Sequence, residues 1–277
     1  MNLFNVIEQI EKVDPEVVDR MSPRRAAIKN ITSFGSKVAI AALPMAFATM
    51  FKRAYAADAP VAVNDVLNFA LKLEYLESYF YNQGAAKSGL IPTSNSGYIA
   101  KIQADENAHV AFLKSVLGAA AVAEPAFDLT AGGAFPTVLS NYDTFLAVSN
   151  AFEDTGVRAY KGQAPNLLGN QVVLGAALAI HAVEARHASV IRQIRASRGV
   201  NISPWITGSS SVANDTGIGA AVDGNYAGEN NVMQGPVDIT KLSSATSSST
   251  AYNVAVEAFD EPLDMATVLN LVKPFFK

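Results

Sequence analysis

The chain has 277 residues, half of them hydrophobic, enough for a sizeable core in one large or two small domains. A net charge of −4 and a pI near 5.4 exclude the basic face that nucleic-acid binding needs. With no cysteine, disulfides, thiolate metal sites and cysteine nucleophiles are excluded; any metal must be held by oxygen and nitrogen, which suit iron, manganese or zinc.

Residues 2–13 read as a short amphipathic helix, with Leu3, Phe4, Ile7 and Ile10 on one side. Ser22-Pro23-Arg24-Arg25 follows, then an apolar run from Val38 to Phe51, then Lys52-Arg53 and the small-x-small triplet Ala54-Tyr55-Ala56. The run is shorter than the roughly 20 residues that a membrane-spanning helix needs. The order resembles a twin-arginine export signal, with Ala27 where that family prefers Phe. The resemblance implies handling by an export machinery and a periplasmic or envelope location. A buried helix or a membrane-surface anchor is the alternative reading of residues 1–56.

Four longer helices are expected next. The first runs from Val63 to Gln83, with Val66, Ala70, Leu73, Glu74, Glu77 and Tyr81 on one face. A loop over Gly84 to Asn95 leads to the second, from Ser96 to Leu117, with Gly118 as its cap. Residues 119–139 carry Pro125, Gly132, Gly133 and Pro136 and are long enough to cross the bundle. The third helix runs from Tyr142 to Gln163 with Asn141 as N-cap, and the fourth from Leu167 to Arg198. From Val200 the chain turns to Gly, Ser and Asn, and Ser243 to Thr250 is nearly pure Ser/Thr. Apolar content returns from Ala251, and a short helix is expected from Met265 to Val272. Residues 199–277 therefore read as an ordered extension packed on the bundle.

Within these helices two pairs stand out, Glu106-Asn-Ala-His109 and Glu184-Ala-Arg-His187. Residues three apart share a helix face, so each pair can point at one ion. They take up two of the three histidines in the chain. Each also closes a longer series: Glu74, Tyr81, Glu106, His109 and Glu153, Tyr160, Glu184, His187, with spacings 7, 25, 3 and 7, 24, 3. Two helical hairpins are thus built to one plan.

This pattern resembles the ferritin-like superfamily over about residues 62–198, an all-α four-helix bundle. Leu73-Glu74-Tyr75-Leu76-Glu77, Asp105-Glu106-Asn107-Ala108-His109, Glu184-Ala185-Arg186-His187 and Ala258-Phe259-Asp260-Glu261-Pro262-Leu263 look like the bacterial exported ferritin-like domain family, which includes desiccation-related relatives. The resemblance implies two Fe or two Mn ions held by Glu74, Glu106, His109, Glu153, Glu184 and His187. Physical chemistry agrees. Four carboxylates in an apolar interior repel one another, and two divalent cations neutralise them.

Glu77, one turn beyond Glu74, competes for the same role or adds a ligand, with a solvated charge as the alternative. Asp105 and His181 are candidates to orient the ligands from behind, against a surface charge and a packing histidine. Tyr81 and Tyr160 are candidates to bond a ligand carboxylate or pass on an electron, against buried core tyrosines. Arg158 and Arg186 are expected on outer faces. The implied activity is that of an oxidoreductase acting on peroxide, dioxygen or Fe(II), in a chain able to form a homo-oligomer. A non-enzymatic exported stress or envelope scaffold of the same fold is the competing expectation.

Overall fold

In the computed structural model, residues 61–209, 212–242 and 248–277 are described. The export-signal reading of residues 1–56 lies outside them, as does most of the Ser/Thr run. Among the described residues no helix is long and apolar enough to cross a membrane.

Helix α1 (Val63–Ala86) and α2 (Thr93–Leu117) form one hairpin; α3 (Tyr142–Gln163) and α4 (Gln171–Ser197) form the other. The helix starts follow side-chain chemistry. Asn141 accepts the Thr144 amide at 2.9 Å, and Asn170 accepts that of Val173 at 3.1 Å. The α1–α2 loop is shorter than expected, because α1 continues to Ala86 and α2 starts directly behind Pro92. The fourth helix starts four residues later than expected: Leu167 closes a separate 3-10 turn, Ala164–Leu167, and Asn170, in extended backbone, caps a new helix from Gln171. The apolar faces of all four helices meet in one core, with Leu71, Phe80, Tyr81, Phe145, Leu146 and Ile191 all fully buried.

The crossover and the C-terminus hold each other. Asp128 donates its amide to the Phe275 carbonyl at 2.8 Å, and Lys277 donates to Ala126 at 3.0 Å. Two helices finish the chain, α5 (Ser248–Glu257) and α6 (Met265–Val272). The latter has the expected bounds and is capped by Asp264, which accepts the Thr267 amide at 2.9 Å. The start of α5 lies inside the Ser/Thr run, where composition alone argues against a helix.

The extension is fastened by buried arginines. Arg158 is fully buried, which corrects its expected place on an outer face. Its Nε donates to the Glu261 carbonyl at 2.7 Å, Nη2 to Ala227 at 2.6 Å and Nη1 to Asn225, and Glu229 pairs with it at 2.6 Å. Burial pushes the Glu229 carboxyl up to about 7 and lowers the Arg158 guanidinium. Arg186 is exposed, as expected. Arg192 pairs with Asp154 at 2.7 Å and Asp215 at 3.1 Å, while Arg195 donates to Asn150 at 2.7 Å and to the Thr216 carbonyl at 2.8 Å. The Tyr226 hydroxyl closes this network on Asp154 at 2.6 Å. Gly162 lets the extension cross α3 directly, since a Cβ there would stand 1.8 Å from the Leu263 carbonyl oxygen.

Candidate metal centre

Each helix of the bundle sends a glutamate inward, and α1 sends a second, Glu77. Glu74, Glu106, Glu153 and Glu184 are 0% exposed, with His109 and His187 beside them at 9% and 5%. The i, i+3 spacing puts Glu106 and His109 on one face of α2, and Glu184 and His187 on one face of α4. Two sets of ligand-capable atoms result, each within 4.8 Å throughout. One comprises Glu74, Glu106, His109 and Glu184; the other Glu106, Glu153, Glu184 and His187. Glu106 and Glu184 therefore belong to both, and the six residues named from the sequence come together at one place.

The distances within the cluster are those of donors converging on common points. Nδ1 of His109 stands 3.1 Å from both Glu74 Oε2 and Glu106 Oε2 and 3.3 Å from Glu184 Oε1. Nδ1 of His187 stands 2.8 Å from Glu106 Oε1 and 3.3 Å from Glu153 Oε2, without hydrogen-bond alignment to either. Among the described residues, seven buried side-chain polar atoms lack a hydrogen-bond partner. Five are here: Glu106 Oε1, Glu153 Oε2, both Glu184 oxygens and His187 Nδ1. Such atoms are costly unless something else satisfies them. Metal cations do so, and they accept this all-oxygen and nitrogen donor set.

Electrostatics says the same. Burial, then the neighbouring carboxylates, raises Glu184 well above the usual range, and burial raises Glu106 to about 7. Burial alone would lower the two imidazoles, yet the surrounding carboxylates raise both, His187 to about 11. The cluster draws protons in because its negative charge is otherwise uncompensated.

The surrounding residues support the six. The Tyr160 hydroxyl donates to Glu74 Oε1, and the Tyr81 hydroxyl donates to Glu153 Oε1 and meets Ser149. Each tyrosine thus crosses to the other hairpin. Asp105 Oδ2 lies 3.1 Å from His187 Nε2, leaving Nδ1 aimed inward. His181 does not reach the cluster. Its Nδ1 meets the Val157 carbonyl at 3.0 Å, because one turn before Glu184 the helix face has already rotated toward the α3 backbone. Glu77 is 4% exposed, and burial, then Glu184, raises its carboxyl well above the usual range. It is a buried fifth carboxylate beside the centre and belongs to neither four-residue set.

Sequence reading missed Gly156. A Cβ there would lie 3.0 Å from Glu184 Oε2 and 3.5 Å from Glu77 Oε1, so the glycine makes room for both. The repeat was the signal, since Gly156 is the α3 counterpart of Glu77.

Compared with known families, residues 62–197 match the profile described as "ferritin-like domain". Residues 62–197 are a ferritin-like domain. All four bundle helices, and every residue of both four-residue sets, lie inside it. No curated protein matched the chain. The ferritin-like domain and its buried Glu/His clusters are compatible with a metal site.

Proposed function

We propose that this ferritin-like domain holds two iron or two manganese ions and acts as an oxidoreductase on peroxide or dioxygen. The observation that supports this best is the sharing of Glu106 and Glu184 between two four-residue sets. Glu74 and His109 would complete one site, and Glu153 and His187 the other. Four carboxylates carry −4, which two divalent ions balance. Two redox-active ions supply the two electrons that cleaving an O–O bond requires.

The chain's own groups have distinct tasks. Tyr160 and Tyr81 hold Glu74 and Glu153 in one orientation. Asp105 fixes the His187 tautomer. Packed side chains keep bulk water from the cluster, which strengthens each electrostatic contact inside it.

Elemental analysis and anomalous diffraction on protein from its own source should give two metal ions per chain. Peroxide or dioxygen consumption should be abolished by Glu106→Ala and by His187→Ala. A folded protein without stoichiometric metal, after expression with iron and manganese, would defeat the reading. A scaffold role in the cell envelope is the second reading, favoured by an extension anchored through several buried arginines. Metal without turnover, in an extended homo-oligomer, would select it.

A further inference from the structure

The repeat provides a comparison inside the molecule. Glu74 and Glu153 differ by 153 − 74 = 79, and Glu106 and Glu184 by 184 − 106 = 78. Adding 79 to a residue of α1 therefore gives its counterpart in α3, and adding 78 to one of α2 gives its counterpart in α4. The bundle consequently has two equivalent ends, one beyond Tyr81 and one beyond Tyr160.

The two ends are packed differently. Beyond Tyr81, Phe80 and Phe145 stack with ring centroids 4.5 Å apart and planes 8° from parallel. Their counterparts beyond Tyr160 are Ala159 and Val66. Ile99, 1% exposed, has Ala177 as its counterpart. At these three buried positions a large side chain at the first end is a smaller one at the second. The larger Phe69 and Phe112 of the second end, counterparts of Val148 and Val190 of the first, line the space without filling it. What remains there is a cavity of about 130 Å³. Tyr160 and Leu73 lie along it, and Gln163 is the only other polar residue of its wall among the described residues. Phe112, Val116 and Val172 also line it, and they reach solvent at 39%, 45% and 83% exposure.

The apolar walls of this cavity lack the contacts that close packing would give them. The other end shows that the same backbone accommodates side chains that fill it. A cavity of about 150 Å³ with an apolar lining stays dry and takes up a benzene-sized molecule. We propose that this end of the bundle binds an uncharged hydrocarbon group of about six carbons, entering past Phe112, Val116 and Val172 and lying against Tyr160. Either a small apolar molecule or the end of a longer alkyl chain presents that chemistry. The occupant would touch the ring whose hydroxyl holds Glu74, one side chain from the centre. Packing alone creates the space, whether or not metal is bound.

The test is ligand-observed saturation-transfer NMR on the full chain, metal-free and manganese-loaded, with toluene and with octanoate as probes. Toluene should bind at one site per chain in the metal-free protein. Octanoate binding through its terminal methyl group would identify an alkyl chain as the source; toluene alone would identify a small free molecule. Ala159→Phe, which copies Phe80, should weaken binding at least tenfold. Ala177→Ile, which copies Ile99, is the milder replacement should the first variant not fold. Absence of binding by either probe to the folded wild type overturns the proposal, and so does undiminished affinity in a folded, filled variant. Neither result bears on metal content, which elemental analysis reads separately.

Discussion

The sharing of Glu106 and Glu184 makes a quantitative prediction about thermal stability. A ligand that binds only the folded state stabilises it by about 2.7 kcal/mol when present at 100 times its Kd. Two ions at that saturation would contribute about 5 kcal/mol. In a domain of this size each kcal/mol moves Tm by roughly 2–4 °C, so stripping the metal should lower Tm by about 10–20 °C. The two four-residue sets then sort the variants. Glu74→Gln touches one set and should leave about one ion per chain and half of the Tm increment. Glu184→Gln touches both sets and should remove nearly all of each. The assay is thermal unfolding with and without added Mn(II), paired with elemental analysis of the same samples. Equal losses in the two variants would refute the shared arrangement, as would a Tm indifferent to metal in the wild type.

The remaining predictions address the supporting residues. Arg158→Met leaves Glu229 buried without its cation, a change that costs about 3–5 kcal/mol, and chemical denaturation should show it. Adding Glu229→Met should restore only the part of that loss due to the uncompensated carboxylate, because the carbonyls at 225, 227 and 261 still lack the guanidinium; a double variant as unstable as the single would contradict the pairing. Gly156→Ala places a methyl group 3.0 Å from Glu184 Oε2 and should lower metal occupancy while leaving the helical circular dichroism intact. Full occupancy in that variant would show that Glu184 does not depend on the space. Asp105→Asn changes the group facing His187 Nε2 and should weaken metal affinity about 10–100-fold, measured by competition with a chelator of known affinity; unchanged affinity would leave Asp105 only its ion pair with Lys101, one turn earlier on α2.

Much of this architecture is legible in the residues. The two Glu-x-x-His pairs and the upstream Glu-Tyr pairs locate all six clustered side chains, because helical spacing converts sequence distance directly into a shared face. Asn141 and the short Met265–Val272 helix are equally plain, since a capping side chain acts on its immediate neighbours. Long-range docking is different. The burial of Arg158 depends on carbonyls at 225, 227 and 261, which no local pattern connects to it. In a bundle considered without its extension, an arginine on that side of α3 faces water. His181 shows the converse: spacing put it near Glu184, but only the packed α3 backbone decides that it serves Val157. The Ser/Thr run conceals the start of α5, because composition speaks against a helix where tertiary packing accepts one.

The unequal pair Glu77 and Gly156 makes the two hairpins non-interchangeable. In a chain carrying the first hairpin twice, a second glutamate would replace the glycine, and two acidic side chains would compete for one gap. With the second hairpin twice, two glycines would face each other and leave that gap empty. A homodimer of either half therefore cannot reproduce the native interior, and the covalent joining of two dissimilar partners is what lets this chain set one extra acid against one missing side chain.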